Sequence, residues 1–124
     1  MLNTVNQTPR VSVAMSFRDS SATLAAAVQS ILIQTYQDFE LLLCDDNSSD
    51  DSLAIANSFA GPRVFVWSDG LHKGLGARLN ECIERARGEY FVRMDADDIS
   101  YPERIQKEVD FLDARPEIDV VGTY

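Results

Sequence analysis

The chain has 124 residues, 45% of them hydrophobic, and its 20 acidic and 11 basic side chains give a formal net charge of -9. That length and composition allow one real core and one domain. The acidic excess argues against non-specific nucleic-acid binding and against an anionic membrane surface, so any anionic ligand would need a local remedy such as a cation.

Strand-like and helix-like patterns alternate along the chain. Residues 11–16 read as a first strand, and residues 23–35 as a helix with Leu24, Val28, Ile31 and Leu32 on one stripe. Residues 39–44 are nearly all apolar, as in a parallel strand buried on both faces. A short helix over 51–59 has Ser48, Ser49 and Asp50 as candidate caps and ends at Gly61-Pro62. Residues 64–67 form a third strand. A helix over 74–87 carries Leu75, Leu79, Cys82, Ile83 and Ala86 at helical spacing and is stopped by Gly88. Residues 89–94 are the fourth strand. Ser100-Tyr101-Pro102-Glu103 has the spacing of a capping box, with Ile105, Val109 and Leu112 on the inward face behind it. Residues 118–121 begin another strand.

This alternation implies an α/β fold, with a mostly parallel sheet and helices on both faces. The expected organisation is a disordered segment over 1–9 and one domain over 10–124. Cys44 and Cys82 read as small buried hydrophobes in a reduced compartment. Met1 to Pro9 lacks the apolar stretch of a signal peptide, and no run approaches the roughly 18 apolar residues of a membrane span. The expectation is a cytoplasmic protein without a transmembrane segment.

Asp95-Ala96-Asp97-Asp98 follows the fourth strand directly. Carboxylates so close repel one another unless something positive sits among them, and a divalent cation that prefers oxygen ligands is the usual answer. A solvated acidic turn is the competing reading. Parallel sheets bind ligands outside the carboxyl ends of their strands. Those ends here are 16–19, Asp45-Asp46-Asn47, Ser68-Asp69 and 95–98, and this coincidence of polar and acidic groups favours the metal and ligand reading.

The ordered set Val-Ser-Val at 11–13, Ser30-Ile31-Leu32 with Gln34-Thr35-Tyr36, Phe39-Glu40-Leu41, Asp45-Asp46-Asn47-Ser48, Lys73-Gly74-Leu75, Gly88-Glu89-Tyr90 and Asp95-Ala96-Asp97-Asp98 with Pro102 resembles the nucleotide-sugar-binding half of a family 2 glycosyltransferase with the Rossmann-like GT-A fold. The resemblance implies metal-assisted, inverting transfer from a nucleoside-diphosphate sugar to an unidentified acceptor, as in cell-surface polysaccharide biosynthesis. It also implies Mn2+ or Mg2+ bridging the diphosphate, and a full-length protein working at the inner face of the membrane. By this resemblance Asp46 holds a uracil-like base, Asp95 the ribose and Asp97 the metal, with Asp98 completing the motif.

Around these stand weaker nucleotide-binding candidates. Ser16 lies where the base would approach, with an ordinary strand-end serine as the alternative. At 16–19 the family often shows Pro-Thr-Tyr-Asn where this chain has Ser16-Phe17-Arg18-Asp19, which removes an aromatic from position 18. Arg18 can stack on a base, meet a phosphate, or pair with Asp19 or Asp46. Lys73, in the glycine-containing loop before the third helix, is either an anion contact or a solvated surface residue. Arg78 faces the diphosphate or pairs with Glu81 or Glu84.

Two other classes compete. A non-catalytic nucleotide-binding module would use the same pocket. A receiver or phosphoryl-handling domain would want its acid pair after the first strand, whereas here it follows the second. Inverting transfer needs a general base beside the acceptor hydroxyl, and by resemblance that acid lies beyond the matched region. The chain is therefore expected to be a truncated, donor-binding part, inactive alone and self-associating through an unpaired strand near its end.

Overall fold

The computed structural model describes residues 8–118, and its chain order is β1 (Val11–Phe17), α1 (Leu24–Leu32), β2 (Phe39–Asp45), α2 (Ser52–Asn57), β3 (Val64–Ser68), α3 (Leu75–Arg85), β4 (Tyr90–Arg93) and α4 (Arg104–Ala114). The strands form one parallel sheet in the order β3-β2-β1-β4. This is the expected α/β architecture. Every residue of β2 is buried, as its unbroken apolar run foretold, because β2 lies between two strands and is covered on both faces.

The two faces carry separate cores. On one, Val11, Val13, Met15, Leu41 and Leu43 pack under Leu24, Val28 and Ile31 of α1, Ala56 of α2, and Ile105 and Val109 of α4. On the other, Ala14, Leu42 and Cys44 meet Cys82 of α3, with Trp67 and Ala86 alongside. Both cysteines are buried free thiols, and burial pushes them up, to about 12 for Cys44 and about 11 for Cys82.

Two local expectations are corrected. The capping box at Ser100 and Glu103 does not form, because other groups take its partners. The Ser100 hydroxyl contacts Met94 Sδ at 3.3 Å and accepts from Arg104 Nη1 at 3.0 Å, while Gln34 Oε1 accepts from the Ile105 amide at 3.0 Å. Gly88 does not stop α3, which ends at Arg85 before an extended Ala86. A Cβ on Gly88 would lie 2.6 Å from the Ser12 amide nitrogen and 2.7 Å from the Val11 carbonyl carbon, so glycine is needed for close approach to β1.

Beneath that contact, Glu40 is 1% exposed and fully engaged. It accepts from the Ser12 hydroxyl at 2.6 Å and from the Arg87 amide and Nε at 2.8 and 3.0 Å. The segment expected to be disordered, 1–9, lies outside the described residues except for Thr8 and Pro9, and so does most of the strand expected over 118–121. The self-association expected through that strand therefore also lies outside them. Among the described residues no helix is long and apolar enough to cross a membrane.

Candidate functional site

Chain order and strand order disagree at one place. The chain runs outward from β1 through β2 to β3, then returns across the opposite face through α3 to β4 on the far side of β1. Such a reversal opens a crevice at the carboxyl ends of the two strands that flank it. Phe17 pairs with Asp45 and Ala14 with Arg93, so Asp46 and Asp95 leave the sheet on either side of the end of β1. Two strand spacings separate β2 from β4, about 10 Å.

The acidic turn after β4 is shaped by alternating burial. Met94 and Ala96 point inward at 3% and 7% exposure, whereas Asp95, Asp97 and Asp98 are exposed. The Asp98 amide donates to the Asp95 carbonyl at 3.1 Å and closes the turn. Carboxylate oxygens of all three aspartates then lie within 4.8 Å of one another. Three hard oxygen donors converging from one turn suit a divalent cation of the Mg2+ or Mn2+ type, and they leave positions in its shell for ligand or water oxygens. Arg93 reaches Asp95 at 3.4 Å with both groups half exposed, a contact worth little.

The turn is braced from α1. Ser30 Oγ accepts from the Ser100 amide at 3.1 Å, Gln34 Nε2 donates to the Tyr101 carbonyl at 2.6 Å, and the Thr35 amide donates to the Pro102 carbonyl at 2.8 Å. Gln34 is 2% exposed and caps α4 from outside that helix. Beyond the turn an open groove of about 700 Å³ runs along Arg93, Ile99, Tyr101 and Lys107.

Asp46 sits in a different environment. Its amide extends the ladder to the Phe17 carbonyl, and its carboxylate enters the N-terminus of α3. There it accepts from the Lys73 amide at 2.7 Å, the Gly74 amide at 3.1 Å and Arg78 Nε at 2.9 Å, with His72 Nδ1 at 2.8 Å. Gly74 adopts φ 91°, a backbone open to glycine, and this aims both amides at the carboxylate. Burial pushes the Asp46 carboxyl up. The Lys73 amide, the Arg78 guanidinium, the Gly74 amide and the His72 ring outweigh that and hold it down at about 2.

Arg78 is 0% exposed and binds three carboxylates: Asp46 through Nε, Asp69 through Nη1 and Nη2 at 3.0 and 2.7 Å, and Glu81 through Nη1 at 3.0 Å. Nη2 also donates to the Leu71 carbonyl. Chief among the groups raising its pKa is Asp69, against the opposing effect of burial. Of the two pairings weighed for Arg78, Glu81 is the one formed, and in this conformation its donors are turned inward rather than toward a diphosphate. Lys73 also turns to this cluster, with Nζ 2.8 Å from Asp69 and 3.2 Å from Glu81. Donation from the Trp67 indole at 3.2 Å, with Arg78 and Lys73 beside it, brings the Glu81 carboxyl down to about 2 despite burial.

Asp69 and His72 were missed as members of this cluster. Asp69 ended a predicted strand and Glu81 lay at helical spacing from Arg78, but only the fold joins them. Ser16 is partly exposed at the end of β1. Arg18 is exposed and makes no hydrogen bond or ion pair with Asp19 or Asp46, its two weighed partners. Asp19 instead adopts φ 51° and accepts from the Ser49 amide at 2.6 Å, tying the β1 and β2 loops together.

The site thus defines a parallel α/β domain with an acidic, cation-ready turn on one side of its crevice and a buried carboxylate on the other. Comparison with known proteins agrees: the model of Glycosyl transferase family 2 matches residues 12–124, and the chain belongs to that family. It is 42% identical to EpsE of Bacillus subtilis (strain 168) over 122 residues, covering 96% of this chain and 44% of that protein. It is 30% identical over 103 residues to WfaP of Escherichia coli, a UDP-Glc:alpha-D-GlcNAc-diphosphoundecaprenol beta-1,3-glucosyltransferase, covering 83% of this chain and 41% of the relative. The chain therefore spans less than half the length of these relatives. In fold it is similar to Staphylococcus aureus TarS 1-349 in complex with UDP-GlcNAc, with a TM-score of 0.81 at 23% identity over 86% of this chain and 32% of that one. It is also similar to the mannosyltransferase PcManGT from Pyrobaculum calidifontis in complex with GDP-Man and Mn2+, with a TM-score of 0.76 at 21% identity over 87% of this chain and 33% of that one.

Proposed function

We propose that this chain is the donor-binding part of a glycosyltransferase that moves a sugar from a nucleoside diphosphate to an acceptor hydroxyl with inversion. The observation that carries the reading is the convergence of Asp95, Asp97 and Asp98 at the crevice where the strand order reverses. Asp97 and its neighbours hold a divalent cation, Mn2+ or Mg2+, which when bound offsets the charge developing on the leaving diphosphate. Asp95 meets the ribose, and Asp46, an acceptor only, meets a base edge that donates, as uracil does. Ser16 lines the end of β1 between them. Arg18 carries an unengaged guanidinium suited to phosphate oxygens. Lys73 and Arg78 act on the nucleotide through Asp46 by fixing the loop that surrounds it.

In the displacement, the acceptor oxygen bonds to the anomeric carbon as the bond to the diphosphate oxygen breaks, and the acceptor proton passes to a general base. No residue of this crevice is assigned that last role.

Calorimetry with UDP, with and without Mn2+, tests the division of labour between the two acidic clusters. Asp97→Asn should remove the Mn2+-dependent part of nucleotide affinity. Asp46→Asn should cost about 1.5–3 kcal/mol of the preference for a base with a ring N–H and leave the Mn2+ dependence intact. Identical losses in both variants, or none in either, would contradict the assignment.

A further inference from the structure

The chain itself occupies the acceptor positions of Asp46. Oδ1 takes the Lys73 amide and Arg78 Nε, Oδ2 takes the Gly74 amide, and His72 Nδ1 stands 2.8 Å from Oδ2 as an ion-pair contact. A carboxylate offers about four lone-pair sites. A ring N–H from a bound base must therefore displace one of these neighbours to reach Oδ2.

Three of the four neighbours are fixed. Two are backbone amides at the entry to α3, held by the conformation of Gly74. The third belongs to Arg78, which is fully buried and committed to Asp69, Glu81 and Leu71 through its remaining nitrogens. His72 differs from all of them. Its side chain is 55% exposed, and Asp46, 6% exposed, is the one described group it bonds. Turning the ring into solvent costs one half-exposed ion-pair contact and opens the solvent side of Asp46.

We propose that His72 is a displaceable occupant of the base-recognition edge of Asp46, and that a nucleoside diphosphate whose base carries a ring N–H takes its place. The inference rests on the reading that Asp46 receives the base. The base N–H takes the place that the ring holds beside Oδ2, so His72 competes with the nucleotide and sets how tightly it binds. A base with an unprotonated ring nitrogen at that edge, such as cytosine, leaves His72 in place.

The test uses the chain with Mn2+, titrated with UDP and with CDP, followed by calorimetry and by NMR of the imidazole nitrogens. His72 is the chain's single histidine, so its signals need no assignment. UDP should move the Nδ1 resonance from its position beside the Asp46 carboxylate toward that of a free imidazole, and CDP should not. His72→Ala, a surface change, should bind UDP about three- to ten-fold more tightly than the wild-type chain and bind CDP no differently. Saturation with UDP that leaves the imidazole signals unmoved, or a His72→Ala chain that binds UDP no better, overturns the proposal. Asp46→Asn separates it from the reading beneath it. If that variant loses the preference for UDP over CDP while His72→Ala changes nothing, displacement alone is wrong. If the preference survives in Asp46→Asn, or UDP binds none of these chains, the base assignment falls and displacement with it.

Discussion

Arg78 binds Asp46, Asp69 and Glu81 from a fully buried position, and each of these carboxylates is held below its ordinary range by that neighbourhood. For Asp46 burial opposes the effect, for Asp69 Arg78 is the largest cause, and for Glu81 the Trp67 indole comes first. A folded-state pKa depressed below the unfolded one stabilises the fold above the unfolded value near 4, and this is lost as pH falls toward about 2. Arg78→Met would leave the three carboxylates without their common partner and should lower stability at pH 7 by about 3 kcal/mol. The difference from wild type should shrink as pH falls from 5 to 2, because the protonated carboxyls no longer need the guanidinium. Urea denaturation of both chains at pH 7 and pH 3 measures this, and an equal difference at the two pH values would contradict it. In sequence, only the Glu81 pairing was legible, at helical spacing. Asp46 and Asp69 lie 32 and 9 residues from Arg78 and reach it through sheet register and the fold of the 69–74 loop.

At the scale of elements, α3 carries the chain back across the sheet, and its exit is fixed by the contact of Gly88 with β1. Ser12 Oγ accepts from the Gly88 amide at 2.8 Å and donates to the buried Glu40, which Arg87 grips from the same turn. A methyl group at position 88 would press on the Val11 and Ser12 backbone, which β2 and β4 hold from both sides. Gly88→Ala should therefore cost about 1–3 kcal/mol, read as a lower urea midpoint at unchanged m value. An unshifted midpoint would mean that the close approach relaxes freely. Hydrophobic period was enough to place the eight elements, although in α3 the apolar stripe is only partly covered, with Cys82 buried and Leu75 and Ile83 46% and 55% exposed. Their ends were less legible because long-range groups decide them. Gln34 supplies the cap that the spacing assigned to Ser100 and Glu103, and a sequence pattern cannot show an acceptor 71 residues away.

For the whole molecule, charge is distributed to a purpose. The chain carries -9 overall, yet at the β2–β3 side of the crevice Arg78 and Lys73 neutralise much of the local acid. At the β4 side, Asp95, Asp97 and Asp98 face solvent, a half-exposed Arg93 reaches Asp95, and Arg104 and Lys107 lie farther along the same groove. A diphosphate approaching that turn meets repulsion unless a cation comes with it, and three carboxylates alone leave a divalent ion's shell incomplete. Cation and diphosphate should therefore bind together, each supplying what the other lacks. Titrating Mn2+ into the chain by calorimetry, first alone and then with saturating UDP, tests this most directly. The account predicts weak or undetectable Mn2+ binding alone and clear binding with UDP; tight Mn2+ binding without nucleotide, or none in its presence, would contradict it.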